Sequence, residues 1–184
     1  MRIICACHRK VPLVQGYRAL RRGRISMPGH RYFITTVCHR RQRFFASWPV
    51  ASAVCRTFSE GRLWRDSMLL CWVLMPDHLH MLVELGHDEP LDALVRRVKA
   101  VTSKEAKSAA GRIDGQTWAP GFHERLMRGG LNLEAVARYI VANPVRAGLV
   151  RSCRDYPYWD AIWLDRLVAA SAAPTRQVRS PAMG

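Results

Sequence analysis

Two histidines one residue apart, His78 and His80, interrupt the apolar run from Leu70 to Leu85 directly after Met75-Pro76-Asp77. Side chains alternate across a strand, so His78, His80, Leu82 and Glu84 share one face while Leu79, Met81, Val83 and Leu85 share the other. Two neutral imidazoles so placed can grip one divalent cation from a rigid element, provided that a third ligand arrives from elsewhere in the fold. The competing reading is a pair of half-buried or phosphate-facing histidines on a sheet. Further along, Tyr139 and Asn143 stand four residues apart and therefore one above the other on a helix, flanking its core stripe. By residue type alone, Tyr139 reads as an amphipathic filler at a core margin and Asn143 as a C-terminal cap.

The elements that must position these groups follow from hydrophobic periodicity. Arg31 to His39 is rich in aromatic and β-branched residues and reads as a strand. From Pro49, the run Val50 to Phe58 has helical spacing and ends near Gly61 or Trp64. Met68–Met75 and His78–Leu85 read as two strands whose Pro76-Asp77 link suits an antiparallel pair. Leu91, Leu94, Val95, Val98 and Val101 form the apolar stripe of a helix whose other side carries Arg96, Arg97, Lys99 and Lys104, and Gly111 to Gly115 breaks it. Trp118 to Met127 is a turn feeding a short strand. The resulting β-α-β-β-α-β order is that of a ferredoxin-like antiparallel sheet, so the fold class is α+β. An additional C-terminal helix, capped by Asn132 and running from Leu133 to about Asn143, carries the tyrosine. Pro144 is expected to push Asn143 out of the helical region and free the last carbonyls. The aromatic stretch from Asp155 to Leu164 is expected to pack against the sheet.

With 184 residues the chain is long enough for one well-cored domain with tails. Its 29 Lys and Arg against 14 Asp and Glu leave a net charge of +15, mostly from arginine, which points to a polyanion. Arginine forks match phosphate oxygens and each neutralised phosphate releases counterions, so nucleic acid is the expected partner. Residues 1–24 form a basic arm containing Arg18, Arg21, Arg22 and Arg24, which is either a nucleic-acid contact or a leader. Arg96, Arg97, Lys99, Arg125 and Arg146 complete the candidate phosphate-contacting set. Residues 25–167 form the folded domain, and the Ala-, Ser- and Pro-rich residues 168–184 read as a disordered tail. The six cysteines include no Cys-x-x-Cys pair and read as reduced thiols. No apolar run approaches the ~20 residues of a membrane span and no cleavable signal pattern is present, so a cytoplasmic, nucleoid-associated location is expected.

Three stretches together resemble the REP-associated tyrosine transposases, relatives of the single-tyrosine transposases in the HUH endonuclease superfamily. Val73-Leu74-Met75-Pro76-Asp77-His78-Leu79-His80 is similar to the family's HUH strand, and Trp118-Ala119-Pro120-Gly121-Phe122-His123-Glu124 to its Trp-Gln-Pro-Gly-Phe-His-Asp segment. Ala137 to Leu149, with Arg138-Tyr139-Ile140-Val141-Ala142-Asn143-Pro144-Val145-Arg146, resembles its signature helix and turn. The resemblance extends over roughly residues 17 to 164. Ala119 replaces the usual Gln and Glu124 stands where Asp is common, which leaves any supporting role of His123 and Glu124 open.

By that resemblance, Tyr139 is the nucleophile, and His78, His80 and the Asn143 side chain hold a divalent metal, Mg²⁺ or Mn²⁺. The implied substrate is single-stranded DNA bearing REP-type hairpins, cut through a 5′-phosphotyrosine by a monomer or a homodimer. Two other functions fit the same residues: a catalytically idle DNA-hairpin-binding regulator, and a metal-dependent phosphodiesterase acting on RNA. Only the transposase reading requires a protein-DNA ester.

Overall fold

A computed structural model of the chain describes residues 26–111, 115–127 and 132–163; the basic arm 1–24 and the tail 168–184 lie outside these residues. The first strand, β1 (Arg31–Val37), alternates as its sequence requires, with Tyr32, Ile34 and Thr36 buried. It leads through the loop 38–47 into α1 (Trp48–Phe58) and the single turn α2 (Gly61–Trp64). Strands β2 (Met68–Met75) and β3 (His78–Glu84) form a hairpin in which Met75 faces His78 across the two-residue Pro76-Asp77 turn. Helix α3 (Leu91–Ala109), strand β4 (His123–Met127), helices α4 (Leu133–Val141) and α5 (Asn143–Arg146), and strand β5 (Trp159–Ala161) follow.

The sheet order is β4-β1-β3-β2-β5, with every neighbouring pair antiparallel. Its first four members have the order that the β-α-β-β-α-β reading requires of a ferredoxin-like sheet. The closing aromatic stretch does more than pack against that sheet: Trp159, Asp160 and Ala161 pair with Val73, Trp72 and Cys71 and extend it by one strand. Three residues centred on an aspartate are too short for an alternation signal.

Both faces of the sheet are covered, which explains why β2 is apolar throughout and does not alternate. On one side, Ile34, Leu74, Leu79, Met81 and Val83 pack with α1 and α3 through Val54, Phe58, Leu94 and Val98. On the other, Cys71, Val73, Met75 and Leu82 pack with Ala137, Ile140 and Val141 of α4. Ile140 is fully buried there, and its truncation to Ala would cost about 2–5 kcal/mol. No helix among the described residues is long and apolar enough to cross a membrane.

The end of α4 corrects one expectation. Asn143 is not expelled from the helical region; Ala142 keeps a near-helical conformation and Asn143 opens α5, with Pro144 in its first turn, where a missing N–H is tolerated. The carbonyl that Pro144 cannot serve, that of Ile140, instead accepts the Asn143 side-chain amide at 2.8 Å, and the same nitrogen reaches the Tyr139 carbonyl at 3.2 Å. The proline breaks the hydrogen-bond ladder without breaking the direction of the chain. The asparagine before it repairs the gap.

Candidate active site

Register fixes which side chains share the face beneath α4. Directly paired residues in an antiparallel sheet point the same way, so His80 stands in one row with Thr35 and His123 on one side and Val73 on the other. His78 lies in the row of Val37 and Met75, and Arg125 in the row of Phe33 and Leu82. Leu82, Val73 and Met75 are core partners of α4. The two histidines therefore project from the same face of the sheet as the helix that carries Tyr139. Their rings approach edge to face, with centroids 4.7 Å apart.

Each imidazole is oriented through Nδ1. The Asp77 carboxylate accepts a 2.6 Å hydrogen bond from Nδ1–H of His78, which leaves Nε2 as the nitrogen outside that bond. Thr35 Oγ1 lies 2.8 Å from Nδ1 of His80, and with that nitrogen donating in the neutral ring, Nε2 keeps the lone pair. A carboxylate and a hydroxyl thus fix the orientation of the two rings, as outer partners do behind histidines that could hold a metal. Burial, aided by the neighbouring His78 and by Arg41 and opposed by Asp77, pushes the His80 pKa down to about 3. His80 is thus neutral, in its ligand form, at every physiological pH. Burial alone would raise the Asp77 carboxyl, but the hydrogen bond and charge of His78 and the charge of Arg41 outweigh it, so its pKa lies below the ordinary carboxylate value. Arg41 holds the other carboxylate oxygen at 3.3 Å.

Tyr139 is 45% exposed on α4, away from the stripe formed by Ala137, Ile140 and Val141. The Arg146 guanidinium carbon lies 4.2 Å from the centroid of its ring. The Asn143 nitrogen is spent on two carbonyls, and its amide oxygen is the polar atom of the side chain that these bonds do not use. Among the described residues, no cluster of three or more His, Cys, Asp or Glu side chains is placed to hold a metal. A third ligand to the histidine pair drawn from the described residues would be of another donor type, and the Asn143 oxygen is one such group. The donor set of two imidazole nitrogens and one amide oxygen suits a borderline or hard divalent cation with positions left for phosphate oxygens.

The basic residues divide sharply. Arg18, Arg21, Arg22 and Arg24 lie outside the described residues. Arg96, Arg97 and Lys99 are on α3, across the sheet from the histidines. Arg97 forks onto the buried Glu89 carboxylate and donates from Nε to the Leu63 carbonyl at 2.8 Å, so its charge is used within the fold. Lys99 donates to the carbonyls of Ala119 (2.8 Å) and Gly121 and so shapes the turn before β4. The Trp118 indole, buried in the same turn, donates to Thr102 Oγ1 at 2.9 Å. These contacts make the Trp-Ala-Pro-Gly segment a structural bolt that delivers β4, with His123 and Arg125, to the histidine face. Arg96 remains largely solvated beside Asp92 at 3.6 Å. Arg125 and Arg146 alone of the described set stand with the site. Sequence reasoning missed Asp77 and Thr35; the first adjoins His78 in the chain and was the more findable.

The family described as "Transposase IS200 like" matches residues 26–143. The chain is 30% identical over 88 residues to the REP-associated tyrosine transposase of Escherichia coli (strain K12), covering 47% of this chain and 50% of that protein. A second relative, from Haemophilus influenzae (strain ATCC 51907 / DSM 11121 / KW20 / Rd), is 26% identical over 102 residues, 50% of this chain and 57% of that one. The chain thus matches only about half the length of these curated relatives. A solved REP-associated tyrosine transposase bound to a REP hairpin superposes with a TM-score of 0.59 at 23% identity, over 82% of this chain and 86% of that one. At that identity the likeness speaks for the fold.

Proposed function

This chain belongs to the IS200-like transposase family, and we propose that it cuts and rejoins single-stranded DNA beside REP-type hairpins through a phosphotyrosine at Tyr139. The observation that carries the reading is the shared sheet face: an oriented histidine pair and the helix bearing an exposed tyrosine lie on the same side of one small, strongly basic domain.

In the proposed step, Tyr139 Oη attacks the phosphorus of a phosphodiester and the bond from phosphorus to the 3′-oxygen breaks. The phenol gives up its proton and the departing 3′-oxygen gains one, leaving a 5′-phosphotyrosine and a free 3′-hydroxyl. The ester keeps the energy of the original bond, so another 3′-hydroxyl can reverse the step and join a new strand without ATP. Mg²⁺ or Mn²⁺, held by Nε2 of His78 and His80 and by the Asn143 amide oxygen, would offset negative charge building on the phosphoryl oxygens. Asp77 and Thr35 hold the two imidazoles in the tautomer this needs. Arg146 restrains the Tyr139 ring, and Arg125 offers a fork for a phosphate on the same face. The hairpin partner is taken from the relatives; the site itself asks only for a phosphate reachable outside a duplex.

His78→Ala and His80→Ala test the reading. Each variant should lose cleavage of a hairpin-bearing oligonucleotide while keeping its affinity within a few-fold, because the histidines act at one phosphate whereas arginines supply most of the binding. EDTA should have the same effect on the wild type. Cleavage that survives EDTA and both substitutions would overturn the metal assignment.

A further inference from the structure

The loop between β1 and α1 carries a surface that the cleavage chemistry does not use. It runs His39-Arg40-Arg41-Gln42-Arg43, and Arg40 and Arg41 both have positive φ, 51° and 57°. Left-handed backbone at two consecutive arginines is strained and is retained where the surroundings, or function, demand it. The loop is tied to the turn before His78: the Cys38 N–H donates to the Asp77 carbonyl at 2.8 Å, the Phe45 N–H to the Pro76 carbonyl at 3.0 Å, and Arg41 pairs with the Asp77 carboxylate at 3.3 Å. Arg40 and Arg43 are exposed.

Where the loop enters α1 stands Trp48, 64% exposed and the most solvent-accessible large apolar side chain among the described residues. Its ring lies 5.8 Å from that of Tyr158, tilted by 41°, and Tyr158 meets Tyr156 edge to face at 5.4 Å. Tyr158 is fixed by its carbonyl, which accepts the Leu74 N–H at 2.8 Å, and Tyr156 by its hydroxyl on the Leu74 carbonyl at 2.7 Å. Arg43 and Asp77 both lie close enough to act electrostatically on the Tyr156 phenol, although burial is the main cause of its raised pKa. An aromatic row thus leads from an open indole to Tyr156, which feels the charges of Arg43 and of Asp77 in the turn before His78. An indole this exposed contributes little to the core, and leaving it in water is unfavourable.

We propose that Trp48, backed by Tyr158 and preceded by a loop that exposes Arg40 and Arg43, is a stacking site for an unpaired base of single-stranded DNA on its way to the His78 and His80 site. Positive charge beside an open ring is the pairing such strands require: arginine forks take the phosphates while the ring takes the π-face of a base, whatever its identity. The site deepens the function proposed above and rests on it for its substrate, but it acts in binding and needs no metal.

The test is equilibrium binding in EDTA, where no bond is cut, using labelled oligothymidylate and an otherwise identical strand of abasic residues. Base–aromatic stacking of about 1–3 kcal/mol corresponds to roughly 5- to 150-fold in affinity. Trp48→Ala should weaken oligothymidylate binding within that range and leave the abasic strand unaffected, while Trp48→Phe restores most of the loss. Melting temperature should change little in either variant, since the side chain stands outside the core. Equal affinity of wild type and Trp48→Ala for oligothymidylate would overturn the site, as would an equal loss on both strands. Failure here leaves the adduct chemistry of Tyr139 intact, and absence of the adduct leaves this binding difference intact.

Discussion

The guanidinium carbon of Arg146 sits 4.2 Å from the centre of the Tyr139 ring, one helical break further along the chain. Arg146 ends α5, which follows α4 with Pro144 in its first turn and the Asn143 amide bridging the gap in the hydrogen-bond ladder. A cation on an exposed ring is worth about 0.5–1 kcal/mol, enough to bias the orientation of a nucleophile but not to bind a duplex. Arg146→Ala is therefore expected to slow adduct formation about 2- to 5-fold at saturating DNA. Arg146→Lys, lacking the planar fork, should recover only part of this. Reduced hairpin affinity with an unchanged saturating rate would make Arg146 a phosphate contact instead.

Asp77 orients His78 through a 2.6 Å hydrogen bond, and Asp77→Asn keeps the shape while removing the carboxylate. Loss of such an outer partner typically costs 10- to 100-fold in metal affinity or activity, so about that increase in the Mn²⁺ concentration needed for half-maximal cleavage is expected. Saturating Mn²⁺ should restore much of the rate. An unchanged Mn²⁺ requirement would remove Asp77 from the site.

The carbonyl-serving role of the Asn143 nitrogen and the proposed metal role of its oxygen are separated by two substitutions. Asn143→Asp keeps an oxygen ligand but loses the nitrogen that serves the Ile140 and Tyr139 carbonyls; Asn143→Ala loses both. Both should lower stability, by about 1–2 kcal/mol in chemical denaturation, because a carbonyl loses its donor. Cleavage should be retained better by Asp than by Ala, with the difference narrowing at high metal. Equal cleavage by the two variants at limiting metal would exclude the amide oxygen as a ligand.

The histidine face was legible in the sequence because strand alternation alone assigns His78 and His80 to one side and Leu79 and Met81 to the other. The helix carrying Tyr139 was legible for a similar reason, since Asn132 caps it and Ala137, Ile140 and Val141 repeat at helical spacing. What the pattern could not supply was pairing between distant segments. Thr35 meets His80 from 45 positions away, and only the β1–β3 register brings them together. Helical periodicity put Arg97 and Lys99 on the polar side of α3, yet a helical wheel is blind to Glu89 and to the turn at Ala119 that claim them. A proline ordinarily disfavours helix at the residue before it, whereas Asn143 stays helical and its side chain serves the Ile140 carbonyl, a contact that sequence spacing does not signal.

Acid stability offers a check on the buried imidazole. The folded-state pKa of His80, about 3, lies below the ordinary value of 6.5. Between those values the unfolded chain takes up a proton that the folded chain refuses, so stability is fully present above 6.5 and is lost as pH falls toward 3, at no more than ~1.4 kcal/mol per unit. Asp77, with its lowered carboxyl, acts in the same direction. Urea denaturation across this window should show a shallower pH slope for His80→Asn than for the wild type. Identical slopes would mean that His80 titrates normally in the folded protein.

The most direct measurement is covalent capture. The wild-type protein, given Mg²⁺ or Mn²⁺ and a single-stranded oligonucleotide carrying a REP-type hairpin from its own genome, should form a DNA adduct that survives denaturing electrophoresis, and mass spectrometry should locate it on Tyr139. Tyr139→Phe removes only the attacking oxygen from a side chain that is already 45% exposed, so it should abolish the adduct while preserving melting temperature and hairpin affinity. Duplex DNA of the same sequence should remain uncut. An adduct that persists in Tyr139→Phe would assign the nucleophile elsewhere, and a wild type that binds hairpins tightly yet forms no adduct with either metal would make the protein a hairpin binder and contradict the proposed chemistry.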